Sequence, residues 1–196
     1  GQLAHTHRSP RFVFFHLTKN ATTKNLRTVE ILQEHGVATQ VALSMQDFDA
    51  AIKLDASRWK SYHHRGVCYA LAAEFDKAQA DYQAAIKSQP VRHEGHANLG
   101  AALMAMGKNK EALEALNASI KLRPLQRIAF DNRAQVYLHM RDFNKAGADF
   151  DFICKLYPDD KSAQTNRAIL FKVSGDFAKA IAELTKLVEA DEENDT

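Results

Sequence analysis

The sequence predicts an all-α fold, an α-solenoid made of stacked helix-turn-helix units. Small and apolar residues recur every 34 positions, and within each period they follow the spacing of an amphipathic helix. Residues that interrupt helices are scarce, because the 196 residues include only four prolines and eight glycines. Three prolines recur at the same period, where each ends one unit, since proline cannot continue a helix. They are Pro90, Pro124 and Pro158.

Residues at the same position in successive periods form a column, and helix packing explains the residue types of three further columns. A column of Gly or Ala allows two helices to cross closely, and a column of Ala without exception indicates a second close contact. Aromatic and aliphatic columns, spaced by three, four and seven, form the apolar stripe of each helix. The small residues are Gly66, Gly100, Ala134 and Ala168; the alanines are Ala78, Ala112, Ala146 and Ala180; one apolar column holds Tyr82, Leu116, Phe150 and Leu184.

These columns resemble the tetratricopeptide repeat, a helix-turn-helix unit of 34 residues. The resemblance implies a right-handed α-solenoid in which the first helices of the repeats line a concave groove. An earlier, degenerate repeat fits in its second helix, with Phe48 and Ala51, but Leu32 and His35 occupy its small and aromatic columns. The expected ranges are a basic extension at 1–24, the degenerate repeat at 25–58, and regular repeats at 59–92, 93–126, 127–160 and 161–194.

The distribution of charge argues against a nucleic-acid partner. The formal net charge is +2, with five bases and no acid in residues 1–29 and five acids and no base in residues 189–196. The segment between them is nearly neutral and lacks the basic stripe that nucleic acids require. No run of residues approaches the ~18 apolar residues of a membrane helix, so we also expect no transmembrane segment.

No catalytic or metal-binding motif is complete in this sequence. His93 and His96 lie three residues apart, whereas the zinc-protease helix needs two histidines four apart. Cys68 and Cys154 have neither metal-ligand nor disulfide spacing, which is typical of buried thiols in a reducing compartment. The sequence therefore predicts a protein that is not an enzyme, with no catalytic residue, metal or cofactor.

The resemblance implies that partners bind along the concave faces of the first helices. Three asparagines stand 34 apart there, and their amides can pair with a peptide backbone, like the asparagine ladder of the protein O-linked N-acetylglucosamine transferase. Alternatively, asparagine is common at this position and serves local contacts. The small, apolar floor favours an apolar or helical segment over an acidic tail. The predicted groove comprises Lys60, His63, His64, Val67, Ala97, Asn98, Ala101, Met104, Asn132, Gln135, Leu138, Asn166 and Ile169.

A carboxylate clamp is not predicted in this groove. Heat-shock co-chaperones of the family hold a C-terminal carboxylate with Lys, Asn and Arg. Lys60 matches, but His64 replaces the clamp arginine, and Glu30 adds an acid in the preceding repeat. Another basic column, Arg65, Arg133 and Arg167, flanks the small residues and is interpreted as packed or paired structural arginines.

Residues 1–24 do not fit the repeat. They are basic, contain Ser and Thr and lack acids, which resembles a mitochondrial targeting or post-cleavage segment; an ordinary basic extension is the alternative. The apolar patch from Phe12 to Leu17 should not stay in water, so we expect it to bind a partner or to lie across the first repeat. The predicted anchor residues are Arg11, Phe12, Phe14 and Phe15.

The predicted function is that of a non-catalytic protein–protein interaction scaffold, a subunit of a larger assembly. Its expected partners are other proteins, either assembly subunits or a peptide segment or helix held in the groove. We expect an intracellular location, with the mitochondrion favoured over the cytosol. Two alternatives stay open: a module like a co-chaperone or import receptor that binds linear peptides, and a regulatory repeat domain of a larger enzyme.

Overall fold

The computed structural model describes the backbone of residues 37–192 and the side chains of residues 44–189. Every regular element in that range is an α-helix, which confirms the predicted all-α class. The predicted extension at 1–24 and its anchor lie outside the described residues. The nine helices of this range are α1 (Val37–Leu54), α2 (Trp59–Leu71), α3 (Phe75–Ser88), α4 (His93–Ala105), α5 (Asn109–Leu122), α6 (Arg127–His139), α7 (Phe143–Leu156), α8 (Lys161–Ser174) and α9 (Phe177–Glu192).

The described residues divide into two compact units, with the division between Gly107 and Lys108. Among the described residues, the first unit contains α1 to α4 and the second contains α5 to α9. Within each unit every helix packs against the next one along the chain. Helices α2, α4, α6 and α8 begin 34 residues apart, and so do α3, α5, α7 and α9. We call the first set the first helices and the second set, together with α1, the second helices.

Each first helix ends in the same kind of turn, one or two residues beyond its last residue. The turn residue has a positive φ, between 59° and 89°, in all four cases. In the turn after α2, the amide of Glu74 donates to the carbonyl of Tyr69 at 2.8 Å, which closes the helix end. This backbone conformation favours glycine, yet only two of the four positions have it. The turn residues are Ala73, Gly107, Arg141 and Gly175.

Each compact unit has a core formed where small and large residues alternate. A Cβ at Gly66 would lie 2.9 Å from Cε1 of Tyr82, so α2 and α3 approach closely only because position 66 lacks a side chain. Ala78, Ala112 and Ala146 are fully buried, as the alanine column predicts. A buried cluster in the second unit comprises Phe130, Ala134, Ala146, Phe150, Ile153, Ala163 and Leu170.

The arginine column links each of three first helices to both neighbouring helices. Arg65 on α2 donates from Nε and Nη2 to Asp81 on α3, at 2.8 and 2.7 Å, and from Nη1 to Asp49 on α1 at 2.6 Å. Each partner stands 16 residues from the arginine, and this spacing recurs in the second unit. The interpretation of these residues as paired structural arginines is confirmed. Arg133 binds Asp149 and Asn117, and Arg167 binds Glu183 and Asp151.

Candidate functional site

In the first compact unit, the predicted groove residues on α4 divide into buried and accessible ones. Ala97, Ala101 and Met104 expose only 2%, 0% and 4% of their surface, so they lie beneath the accessible surface of α4. Asn98 is half-buried, so part of this residue is accessible. A ligand on α4 in this conformation would therefore contact Asn98 rather than the small apolar floor that was predicted.

The part of α2 predicted to face the groove carries a cluster of rings beside a lysine. The His64 ring stacks on Phe48 at 5.7 Å between centroids, and His63 meets Trp59 edge to face at 5.8 Å. His63 is buried, whereas Lys60 and His64 are exposed. Partial burial, and secondly the charge of Lys60, lower the pKa of His64. His64 therefore favours its neutral form at pH 7 and does not supply the permanent positive charge of a clamp arginine.

In the second compact unit, the predicted asparagines are largely withdrawn from solvent. Asn132 and Asn166 are both buried, on α6 and α8. Asn166 Nδ2 donates to Oδ1 of Asp131 at 2.8 Å, a bond that ties the two first helices together. The Oδ1 atom of Asn166 is buried and accepts no hydrogen bond. The alternative interpretation, that asparagine serves local contacts, therefore applies to Asn166.

The accessible part of this predicted surface in the second unit is mixed in polarity. Gln135 and Leu138 on α6 are half-buried, and Ile169 on α8 is exposed. Val173, one helical turn after Ile169, is exposed as well. The predicted groove residues thus remain partly accessible in both units, although fewer side chains reach solvent than the repeat register suggests.

The groove prediction did not include a second accessible surface, on α9. Phe177, Ile181, Leu184 and Val188 are all exposed there and share one side of the helix. Their spacing of four, three and four residues was visible in the sequence. That spacing also fits a buried stripe, so the sequence could not show that these side chains are left exposed by the described part of the chain.

The described residues offer no alternative chemistry for a site. No group of three or more His, Cys, Asp or Glu side chains in that part of the chain is arranged to hold a metal ion. Cys68 is buried and Cys154 is half-buried; both are free thiols, and burial raises the pKa of each. None of the helices between residues 37 and 192 has both the length and the apolar character needed to cross a membrane.

Several solved structures have the same fold. MamA 41-end from Desulfovibrio magneticus RS-1 is 16% identical, with a TM-score of 0.74 over 90% of this chain and 100% of that one. YrrB, described as a TPR protein with an unusual peptide-binding site, is 16% identical, with a TM-score of 0.64 over 92% and 91%. TTC0263, a thermophilic TPR protein from Thermus thermophilus, is 16% identical, with a TM-score of 0.66 over 84% and 90%.

At these identities the structural likeness shows the fold alone. No curated protein matches the sequence. The family model described as Tetratricopeptide repeat (TPR_16), however, matches residues 69–127 and 132–195, which is more than half of the chain. The paired helices, the 34-residue spacing of their starts and this match agree with one another. The chain therefore belongs to the tetratricopeptide repeat family of protein–protein interaction modules.

Proposed function

We propose that this protein is a non-catalytic scaffold that binds a polypeptide segment along its first helices. The observation that supports this proposal is the set of side chains left accessible on these helices. In the first unit they include Lys60, His64 and Asn98, and in the second unit Gln135 and Ile169. Amide, imidazole and aliphatic groups can contact a peptide backbone and its apolar side chains without a fixed charge pattern.

The chemistry of these residues favours an apolar or amphipathic segment over an acidic tail. Lys60 is the one cation among the predicted groove residues, and His64, which favours its neutral form, does not add a second permanent charge. The structural likeness to YrrB, whose description includes a peptide-binding site, supports a peptide as the ligand. The shortage of cations among these residues separates this proposal from a clamp for C-terminal carboxylates.

A peptide library displayed on phage and selected on the full chain tests the proposal. We expect each selected peptide to lose binding to Asn98→Ala or to Ile169→Glu, because each change alters an accessible side chain on a first helix of one compact unit. Gln83→Ala, an exposed residue on the second helix α3, is the matched control and should bind as the wild type does. Equal binding by all three variants would show that the ligands bind elsewhere.

We further propose that the protein is a subunit of a larger assembly. We infer from composition that residues Arg11, Phe12, Phe14 and Phe15 anchor the protein in that assembly, with a mitochondrial location favoured. Deletion of residues 1–20 should leave the melting temperature nearly unchanged and weaken incorporation. A much lower melting temperature would mean that the segment belongs to the folded repeats. Imaging of the tagged full chain tests the location, and a purely cytosolic signal would contradict it.

A further inference from the structure

Helix α9 presents an apolar face, defined by Phe177, Ile181, Leu184 and Val188, that no described residue covers. These four side chains expose 63%, 65%, 43% and 58% of their surface. The residues equivalent to Leu184 in the other regular repeats are fully buried, because α3, α5 and α7 are each packed against the helix that follows. Those equivalents are Tyr82, Leu116 and Phe150. Among the described residues, the α9 face thus has the side chains of a helix-packing surface and no following helix packed on it.

The charge at the end of α9 is reversed relative to the other second helices. A helix C-terminus carries a partial negative charge, which a base in the last turn offsets. Helix α9 has no base in its last turn, and Glu189 occupies the lysine position, followed by Asp191 and Glu192. These acids are unfavourable at this end unless a cation comes from outside the helix. The lysines of the other second helices are Lys53, Lys87, Lys121 and Lys155.

We propose that the α9 face binds residues 8–19 of a second copy of this chain. That segment contains the apolar run from Phe12 to Leu17 together with Arg8, Arg11 and Lys19, and no acid occurs before Glu30. Its apolar side chains suit the α9 face, and its bases suit the acidic end of the helix, so the two surfaces are complementary in charge. The inference rests on the anchor proposed above and names the surface that the anchor binds.

We assign the segment to a second copy; the same segment lying on the α9 face of its own chain is the alternative that the concentration dependence of association tests. Each copy carries one segment and one face, and these two surfaces differ. The contact is therefore heterologous, and it can continue from one copy to the next instead of closing as a symmetric pair. The expected behaviour is association that grows with protein concentration and weakens with salt.

Sedimentation velocity of the full chain over a wide range of concentrations tests the contact. We expect the wild type to associate, and Ile181→Glu or Phe14→Glu to lower the association constant by roughly tenfold or more, since each places a charge in the apolar contact. Thermal melts of both variants should match the wild type. A mixture of the two should form one-to-one dimers that grow no further, because only one intact segment and one intact face remain.

The contribution of the acidic end of α9 to association is tested separately with Glu189→Lys. This change restores the lysine of the other second helices, so it should raise the melting temperature while weakening association. Glu114→Lys, an exposed acid on α5, is the matched control and should leave association unchanged. An unaltered association constant in Glu189→Lys would contradict the role of the acidic end.

Other outcomes would overturn the proposal. A wild-type chain that stays monomeric at every concentration excludes the contact, and so does a mixture of Ile181→Glu and Phe14→Glu that stays monomeric. If Phe14→Glu weakens association and Ile181→Glu does not, the anchor stands and the α9 face is the wrong surface. Peptide binding through Asn98 and Ile169 is measured on the same variants and should be unaffected, which separates failure of this contact from failure of the proposed groove.

Discussion

Tyr82 places a hydroxyl group in the core of the first compact unit. Its side chain is fully buried, the hydroxyl makes no hydrogen bond, and burial raises the pKa of this group far above its usual value. An unsatisfied buried hydroxyl costs ~1–3 kcal/mol. One equivalent residue in the second unit is Phe150, an aromatic that is equally buried and has no polar atom to satisfy.

We therefore expect Tyr82→Phe to raise the free energy of unfolding by about 1 kcal/mol, because it removes the hydroxyl and keeps the ring. Urea denaturation measures the change. The reciprocal variant Phe150→Tyr should lower stability, since it introduces the same unsatisfied group. A Tyr82→Phe variant less stable than the wild type would show that the hydroxyl has a partner in solution.

Ala73 and Arg141 have left-handed backbone conformations, with φ of 59° and 60°. A residue with a Cβ is strained there by about 1 kcal/mol or more, whereas glycine is not. Ala73→Gly should raise the free energy of unfolding by roughly 0.5–1 kcal/mol, because the relief of strain exceeds the added freedom of the unfolded chain. Chemical denaturation provides the measurement.

Gly107 supplies the matched control for this prediction. It occupies the equivalent turn at φ 74°, and a Cβ there would meet no atom within 4 Å. Gly107→Ala should therefore lower stability by a similar amount through backbone strain alone. Equal stability of the wild type and both variants would mean that these turns adopt another conformation in solution.

At the level of elements, the arginine pairs hold three consecutive helices together at a fixed spacing. Arg133 on α6 donates to both carboxylate oxygens of Asp149 on α7, at 2.8 and 2.7 Å, and the Asp149 side chain is nearly buried. In the repeat at 93–126, Leu99 and Ala115 occupy the arginine and acid positions. Both members of the pair are absent there together, so the repeat tolerates an apolar replacement of the whole pair.

Arg133→Leu should lower the free energy of unfolding by about 2–4 kcal/mol, because it leaves the carboxylate of Asp149 nearly buried without a partner. The double variant Arg133→Leu/Asp149→Ala, which copies Leu99 and Ala115, should recover most of the loss. A double-mutant cycle in urea measures the coupling between the two residues. Additive losses in the double variant would contradict the pairing as a source of stability.

The whole molecule differs from the heat-shock co-chaperones in the charge of its predicted groove. We expect acidic C-terminal heat-shock peptides to bind poorly, because Lys60 lacks an accompanying clamp arginine and His64 favours its neutral form at pH 7. Isothermal titration calorimetry with such a peptide tests this expectation. Micromolar binding that is lost in Lys60→Ala would show that the clamp functions despite the replaced residues.

The pairing of helices could be predicted from the sequence because it depends on local periodicity. The columns of Gly66, Ala78 and Tyr82 specify which faces of neighbouring helices meet, and packing leaves little freedom once small and large residues alternate. The spacing of 16 residues between Arg65 and Asp81 was also present in the sequence. It had no interpretation until the structure placed both residues on facing sides of α2 and α3.

The sequence by itself determined the all-α class, the 34-residue period and the family of this protein, because apolar periodicity is a property of consecutive residues. Only the tertiary structure decided which side chains of one helix face reach solvent. Ala97 and Ala101 are buried, Asn166 binds Asp131, and Ile181 stays exposed. Exposure depends on the neighbouring helices as much as on the residue itself, so a column that predicts a groove or a core does not say which of its members is covered.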